Sequence, residues 1–359
     1  MARLMLRRGH AIAITVMVVL LAGACGSDGP GACRFKSIAA LTHATYGVSL
    51  EGGLWTWGWT WWGQNETAPT QLRYTNDIVA IAAREFVYAC EEHANGSRIC
   101  WPALRTGSDS IDLSAAQQVA MSLGYSVCML GRDGNVACAD YGDDGIPPLD
   151  LFSTVEGLGG DVTDVALGPS SPAHGCAIKA DRSLWCWGVG ILGDGMPSRD
   201  TPSPAVGIEA ARGVVEGVAL GDTSTCVVTT RGAVSCWGPI VDPVAPALTP
   251  VVVDVDASFV EVTMGVGHAC ALTDDGQVWC WGDNDSTQTS APDPTDRAPH
   301  RVPLPAGQVL EVRAGGDHSC ARLVDSSVWC WGANEGGQLG DARITRAASS
   351  DPVAVVGCQ

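Results

Sequence analysis

The chain has 359 residues, of which 46% are hydrophobic, so it can bury a substantial core and does not have the composition of a disordered protein. Its 39 acidic and 21 basic residues give a formal net charge of -18, which argues against a nucleic-acid binder because such proteins need a basic surface. Only 17% of the residues are charged, whereas the chain contains 44 glycines and 13 tryptophans. This composition predicts few long helices.

The first 24 residues have the pattern of a signal peptide. Arginines precede an apolar stretch over 11–21 that is too short to span a bilayer, and the small residues 22–24 are typical of a cleavage site. Cys25 follows at once, and the run 21–25 resembles a bacterial lipobox. We therefore expect residues 1–24 to be removed and Cys25 to receive lipid; cleavage of the same bond without lipidation, giving a secreted protein, is the alternative.

Residues 25–33 are predicted to be the lipidated N-terminus and a flexible, Gly-rich tether. Gly26 stands where some lipoproteins carry the Asp that retains them at the inner membrane. The expected location is therefore the cell envelope, with the outer membrane favoured and secretion as the alternative.

Twelve cysteines fall into six pairs, and the two members of each pair are ten residues apart. The pairs are Cys90/Cys100, Cys128/Cys138, Cys176/Cys186, Cys226/Cys236, Cys270/Cys280 and Cys320/Cys330. Zinc ligands favour pairs two to four residues apart, and an exported chain meets an oxidising compartment. Disulfides are therefore predicted, in preference to a metal site or to free thiols spaced by chance.

A spacing of ten fits the two strands of one antiparallel hairpin. If Cys270 faces Cys280, a three-residue loop ends at Gly276, and the commonest loop of this length needs a left-handed third residue. That position is Gly in four of the six pairs, but Arg182 and Ser326 occupy it in the other two. Facing residues have Cα atoms about 4.5–5.5 Å apart, within reach of a disulfide. Each pair is thus predicted to be a staple across one hairpin.

The same frame fits a first copy that lacks cysteine, with Tyr46 and Thr56 at the two cysteine positions, so the chain holds seven repeats. A small-residue run precedes each hairpin and a short Pro-Val type run follows it, which gives four strands per repeat. Repeats of this length made of short strands indicate a propeller or a solenoid. We predict an all-β fold, a seven-bladed β-propeller with four-stranded antiparallel blades, over residues 34–358.

Two further cysteines flank the repeats. Cys33 stands just before the first repeat and Cys358 lies one residue from the end of the sequence. A disulfide between them would clasp the two ends of the ring, and it would account for every cysteine other than Cys25.

The repeats resemble the RCC1-like (regulator of chromosome condensation) family, in its cysteine-rich exported bacterial form. The resemblance is carried by Gly-His-Ala-Cys-Ala-Leu at 267–272, Gly-Gln-Val-Trp-Cys-Trp-Gly at 276–282 and Trp-Gly-Ala-Asn-Glu-Gly-Gly-Gln-Leu-Gly at 331–340. It implies a propeller, with departures in the second and third repeats. The family's namesake exchanges nucleotide on a nuclear GTPase, a role that the export signal and acidic charge oppose. Secreted β-lactamase inhibitors with such repeats clamp an enzyme with one face.

The tryptophans near the first repeat fall into two groups. Trp55 and Trp57 flank Thr56 in the same way as tryptophans flank Cys280 in the sixth repeat, and we interpret them as packing residues. Trp59, Trp61 and Trp62 follow in a loop, where exposed tryptophans would favour a partner-binding or sugar-stacking site. A local hydrophobic plug is the alternative.

His174, His268 and His318 each precede a hairpin cysteine by two residues, and His43 lies near the equivalent position of the first repeat. A repeated structural hydrogen bond explains them more economically than a converging metal site. Residues 283–287 alternate oxygen-bearing side chains as a calcium loop does, but without the downstream acid. A polar turn is preferred there, as it is over 143–145, and no metal or cofactor is predicted.

The sequence contains no phosphate-binding loop and no Gly-x-Ser-x-Gly motif. We therefore predict a monomeric, lipid-anchored scaffold that binds a protein or a glycan and is not an enzyme. A hydrolase or lyase site in the central channel is the alternative, and GTPase exchange is a remote one.

Overall fold

The structure, a computed structural model, is nearly all-β. It describes residues 33–59, 65–73, 77–82, 88–102, 111–112, 116–122, 126–140, 149–169, 174–196, 198–208, 213–343 and 347–358. These residues form seven four-stranded antiparallel sheets and one short 3-10 turn at Leu149–Leu151. Within these ranges no helix is both long and apolar enough to cross a membrane. The predicted seven-bladed propeller is confirmed.

Each blade uses four consecutive strands. Blades 1 to 4 contain β1(Phe35–Ala40), β2(Ala44–Ser49), β3(Leu54–Trp59) and β4(Asn65–Arg73); β5(Ile78–Ala82), β6(Tyr88–His93), β7(Arg98–Pro102) and β8(Ile111–Asp112); β9(Ala116–Met121), β10(Ser126–Gly131), β11(Val136–Asp140) and β12(Ser153–Thr154); and β13(Val162–Leu167), β14(His174–Lys179), β15(Leu184–Val189) and β16(Ser198–Pro204). Blades 5 to 7 contain β17(Val215–Leu220), β18(Thr225–Thr229), β19(Val234–Gly238) and β20(Ala247–Val252); β21(Phe259–Met264), β22(His268–Thr273), β23(Val278–Gly282) and β24(His300–Arg301); and β25(Val309–Ala314), β26(His318–Leu323), β27(Val328–Gly332) and β28(Ser349–Ala354).

The first strands form the inner ring of the propeller. They contact one another in succession from blade 3 to blade 7, and β1 contacts both β5 and β25, so the last blade closes on the first. The core is divided into apolar layers between neighbouring blades. In the layer between blades 4 and 5, for example, Cys176, Leu220 and Trp237 pack together. Each layer is small, which explains why small side chains and cysteines suffice to fill it.

The hairpins have the predicted register. Cys270 faces Cys280, Ala271 faces Trp279, and the four-residue turn that follows is closed by the bond from Gly276 N to Thr273 O. Disulfides join Cys128–Cys138, Cys176–Cys186, Cys226–Cys236, Cys270–Cys280 and Cys320–Cys330, each with Cα atoms 4.1 Å apart. This is shorter than expected and closest to the narrow pairs of an antiparallel ladder. Cys90 also faces Cys100 in the backbone register, but their side chains lie outside the described part.

The third loop residue is left-handed in every hairpin. Its φ is +81° at Gly276 and +69° at both Arg182 and Ser326, so the two side-chain-bearing residues adopt the conformation that the frame demands. The loop geometry is therefore imposed by the paired strands and not by glycine alone. A non-glycine residue in this region costs about 1 kcal/mol or more.

Ser326→Gly is expected to raise the free energy of unfolding by about 0.5–1 kcal/mol, because relief of the left-handed strain exceeds the added freedom of the unfolded chain. The matched change Gly276→Ala is expected to lower it, since a Cβ there would lie 2.5 Å from Gln308 Cγ and 3.2 Å from Gln308 Cα. Guanidinium denaturation of both variants measures the difference. Destabilisation by Ser326→Gly would contradict this account of the hairpins.

The two ends of the chain meet at one junction, which we call the seam. Cys33 and Cys358 form the predicted disulfide, with Cα atoms 5.6 Å apart. The N–H of Cys33 donates to the carbonyl of Val355 (3.4 Å), and Arg34 pairs with Ser327 as an isolated bridge. The seam thus lies between blades 7 and 1, and the predicted clasp is confirmed. Disulfides throughout the ring point to an oxidising extracellular or envelope compartment.

Candidate interaction face

The propeller has two different faces. On one, here called the hairpin face, the loops between the second and third strands of each blade emerge. On the other, the loop face, the first strand connects to the second and the third to the fourth. The second type of connection is longer and more varied in sequence, as at 239–246 and 283–299. Variable loops on a rigid support are where binding residues concentrate.

Trp59 lies on the loop face at the end of β3 and is 52% exposed. Its N–H donates to the carbonyl of His43 (2.8 Å), and its ring lies 5.5 Å from the His43 ring, centroid to centroid, at 45°. On the other side the Cβ of Trp59 lies against Gly336 of blade 7, since a Cβ added at Gly336 would lie 2.9 Å from it. The predicted site residues Trp61 and Trp62 lie outside the described residues, so Trp59 alone is placed.

The frame tryptophans behave as packing residues, as predicted. Trp57 is fully buried and its ring lies 5.3 Å from that of Phe35, whereas Trp55 is half-buried against the same cluster. Trp331 and Trp237 are also fully buried, and each donates its indole N–H at 2.9 Å to a loop carbonyl of the preceding blade. These residues hold neighbouring blades together and leave the loop face to other side chains.

Blades 4 and 5 present several exposed aliphatic side chains on the loop face. We call them the apolar loop patch, and they are Val189, Met196, Val241, Val244 and Leu248. Val244 is 91% exposed. The carboxylate of Asp242 accepts the N–H groups of Ala245 (3.0 Å) and Val244 (2.8 Å), which fixes this loop tip and holds the pKa of Asp242 below its ordinary value. The bond from Gly195 N to Leu248 O joins the loops of the two blades.

The loop face of blades 6 and 7 is acidic. Burial is the first cause that raises the pKa of Asp317, and the nearby carboxylates of Asp283, Asp285 and Glu335 raise it further, while His43 acts in the opposite direction. Arg297 compensates part of this charge, with its guanidinium 3.2 Å from Asp283. The loop face therefore combines an aliphatic sector with an acidic one, and Trp59 lies beside the acidic sector.

The repeated histidines form hydrogen bonds between blades, which confirms their structural interpretation. The Nε2 atoms of His174, His268 and His318 lie 3.1, 2.9 and 2.8 Å from hydroxyl groups of the next blade, those of Thr225, Ser319 and Thr45 respectively. Ser319 in turn donates to the carbonyl of Gln288 and Thr45 to that of Gln338, so the ring Nε2 of His268 and of His318 carries the proton. Burial lowers the pKa of His174 to about 4 and those of His268 and His318 to about 3.

The calcium-like stretch is a polar turn that the side chain of Asn284 holds together. The side-chain amide of buried Asn284 donates to the carbonyls of Ala291 (3.2 Å) and Asp293 (2.8 Å), and its oxygen accepts the N–H of Thr289 (3.1 Å). Asn334 accepts the N–H of Leu339 in the same way in blade 7. Across the described ranges, no group of three or more His, Cys, Asp or Glu side chains has metal-site geometry. The turn over 143–145 lies outside those ranges.

The sequence interpretation missed the apolar loop patch. Valine and methionine in Pro-rich loops give no periodic signal, and exposure of a loop tip depends on how the adjacent blades pack. The one local indication was the Asp-Pro-Val run at 242–244, which is typical of a turn that holds its following residue outward. An exposed aliphatic cluster on fixed loops is suited to contact with a protein surface.

Comparison with protein families identifies the repeats. The family model described as "Regulator of chromosome condensation (RCC1) repeat" matches residues 259–288 and 309–338, and a second model with the same description matches residues 275–322. These matches cover blades 6 and 7. No curated protein sequence matches the chain.

Solved structures share the fold over most of the chain. Prp20p from Saccharomyces cerevisiae, described with its binding to Gsp1p and histones, is 16% identical with a TM-score of 0.52, covering 89% of this chain and 76% of its own. Human WBSCR16 is 16% identical with a TM-score of 0.52, covering 90% and 82%. The ectodomain of receptor kinase CR4 from Physcomitrella patens is 14% identical with a TM-score of 0.54, covering 84% and 74%.

Proposed function

We propose that this chain, whose residues 259–338 match the RCC1 repeat family, is an exported, lipid-anchored bacterial scaffold that binds a protein partner on its loop face. The proposal combines the signal pattern and Cys25 with a ring whose disulfides require an oxidising compartment. It also assigns the two faces of the ring different tasks.

The apolar loop patch carries the proposal. Aliphatic side chains such as Val241 and Val244 stand in solvent on loops that internal hydrogen bonds fix, and burying them against a partner is favourable at about 25 cal/mol per Å². Sugars stack on flat aromatic rings, whereas a valine and methionine cluster fits the aliphatic surface of a protein. The patch therefore favours a protein over a glycan as the partner.

The disulfides support tight binding because the loops of the patch are already ordered before a partner binds. Each loop of the patch starts or ends at a strand whose hairpin carries a disulfide, Cys176–Cys186 in blade 4 and Cys226–Cys236 in blade 5. A preorganised surface avoids much of the conformational entropy that flexible loops lose on binding.

The acidic sector adds a preference for partner charge. Asp283, Asp285 and Glu335 lie close enough to raise the pKa of Asp317 together, so a basic region on the partner would be attracted to this half of the face. Trp59 stands beside it as an aromatic anchor. One propeller of this fold binds several proteins, since Prp20p, the yeast RCC1, is described with its binding to Gsp1p and histones and in a complex with Kap60.

Capture of a partner from envelope extract by the immobilised mature chain tests the proposal. The double variant Val241→Asp/Val244→Asp is expected to lower the recovered partner by about tenfold or more, because a charge at a buried contact removes a hot spot. Leu50→Asp/Val324→Asp, an exposed aliphatic pair on the hairpin face, is the matched control and is expected to recover the partner as the wild type does. Equal capture by the wild type and the loop-face variant would refute the proposed site.

A further inference from the structure

The N-terminal tether joins the folded ring on the hairpin face. β1 runs from the hairpin face to the loop face, since Phe35 at its start is paired with Ser49 at the hairpin end of β2. Cys33 precedes β1 by two residues and is held at the seam by its disulfide to Cys358 and by its bond to Val355. Any anchor at Cys25 therefore connects to the ring at this face.

The tether is short compared with the ring. Eight peptide steps separate Cys25 from Cys33 and can span at most about 28 Å when fully extended. A flexible Gly-rich chain of this length has a root-mean-square span of only about 16 Å. A compact body of about 325 residues has a radius of gyration near 20 Å and thus a width of roughly 50 Å. The tether therefore keeps Cys33, and with it the hairpin face, within about 28 Å of the anchor, a distance shorter than the ring is wide.

Exposed aliphatic side chains surround the seam on the hairpin face. We call them the seam patch: Leu50, Val79, Val260, Leu310 and Val324. Leu50 and Val324 begin the hairpin loops of blades 1 and 7, and they are 49% and 59% exposed. Val79, Val260 and Leu310 are the extra residues of β-bulges near the start of the innermost strands of blades 2, 6 and 7.

The same positions in the other half of the ring are polar or small. All seven innermost strands carry a bulge at this point, but in blades 3, 4 and 5 its extra residue is Gln117, Thr163 or Glu216. The first residues of the corresponding hairpin loops are Arg132, Ala180 and Thr230. A structural demand of the fold would place aliphatic residues in every blade. In blades 6, 7, 1 and 2 five of these eight positions are aliphatic, Ala94 is small, and Lys36 and Asp274 are charged, so the aliphatic positions gather on the side of the ring that carries the tether.

We infer that the seam patch is a membrane-contacting surface: it rests on the lipid bilayer in which Cys25 is anchored and turns the loop face away toward soluble partners. The inference rests on the lipid anchor of the proposed function. Partial insertion of a few aliphatic side chains into the headgroup region is too weak to bind a membrane alone, but it suffices to orient a chain that is already anchored. Lys36 and Arg34 lie beside the patch at the start of β1, and lipid phosphates there would share Arg34 with Asp325, to which it is already bonded.

Energy transfer from the protein to the bilayer tests the orientation. The mature chain is anchored chemically by coupling a maleimide lipid to the Cys25 thiol, the one cysteine outside the seven predicted pairs, in phosphatidylcholine vesicles with an acceptor dye on the headgroups. A donor dye is carried by a non-natural residue at position 274 or 285, replacing Asp274 or Asp285, two exposed acids at opposite ends of blade 6. We expect higher transfer from position 274.

Leu50→Glu/Val324→Glu is expected to decrease the difference between the two donor positions to the part that the tether alone maintains, and the loop-face pair Val241→Glu/Val244→Glu is expected to preserve it in full. Equal transfer from the two positions, or no effect of the seam variant, would overturn the inference. Sedimentation that shows a dimer of the wild type and a monomer of the seam variant would also overturn the inference, because a second copy would then occupy the patch. The mass of the chain isolated from envelopes reports natural lipidation separately, so failure of the anchor and failure of the orientation are distinguishable.

Discussion

Replacing Cys33 and Cys358 together by Ala is expected to lower the free energy of unfolding by about 3–5 kcal/mol, the largest effect of any single disulfide. The clasp spans a sequence separation of 325, so its loss frees more conformations of the unfolded chain than the loss of a ten-residue staple does. It also weakens the junction of blades 7 and 1, which non-covalent bonds such as Phe35 N–H to Ser326 O (2.9 Å) and His318 to Thr45 (2.8 Å) would then hold without the clasp.

The matched control is Cys226→Ala/Cys236→Ala, which removes a hairpin staple from the opposite side of the ring. In the chain-entropy model this change costs about 2–3 kcal/mol. Both control cysteines are fully buried, whereas Cys358 is only half-buried. The control therefore loses more packing as well as its disulfide, so a larger destabilisation of the clasp variant cannot be attributed to lost packing. Calorimetry or guanidinium unfolding gives the order of the two variants. A clasp variant as stable as the wild type would show that the ring closes without covalent help.

Stability is expected to fall steeply between pH 6.5 and about 4, because of the three buried histidines. Burial lowers their pKa values to about 4 for His174 and about 3 for His268 and His318, so they stay neutral in the folded ring. In the unfolded chain they take up protons near pH 6.5. Below that pH the unfolded state therefore binds more protons, and each histidine lowers the free energy of unfolding by about 1.4 kcal/mol per pH unit.

His268→Gln isolates one of these contributions. The amide can still donate a hydrogen bond to Ser319, but it does not titrate, so the slope of stability against pH should decrease by about 1.4 kcal/mol per unit relative to the wild type. Burial opposes protonation of His93, but Asp77 and Glu91 outweigh it and raise its pKa, so His93 stabilises the folded ring as pH falls. The contribution of His93 is the same in the variant and in the wild type, so it cancels when the two slopes are compared. Identical slopes for variant and wild type would show that His268 is protonated, or exposed, in the folded ring.

The hairpins and the ring were predictable from sequence because covalent geometry limits them. Cysteines ten residues apart on paired strands can meet only if Cys270 faces Cys280, and this fixes which residues face each other along the whole hairpin. The same reasoning predicted a left-handed residue at position three of the loop, and the structure has one even where Ser326 stands in place of glycine. Repetition then made the first, cysteine-free copy recognisable through Tyr46 and Thr56, which do face each other.

Contacts between blades and exposure of loops could be predicted only in part. A structural hydrogen bond for His268 was expected, but its acceptor, Ser319, lies in the following blade and becomes a neighbour only when the ring closes. Exposure of Val244 depends on an Asx-type turn made by Asp242 within an irregular loop, for which no periodic pattern exists. The predicted site at Trp59, Trp61 and Trp62 stays a prediction, since only Trp59 lies within the described residues.

Peptide mapping of the non-reduced mature protein tests the stapled ring most directly. Digestion and mass spectrometry should recover seven linked pairs: Cys33 with Cys358, and each remaining pair, Cys90 with Cys100 included, within its own hairpin. A link from Cys176 or Cys270 to a cysteine of another blade, or reduced Cys33 and Cys358 in the isolated protein, would contradict the closed, disulfide-stapled propeller on which both faces depend.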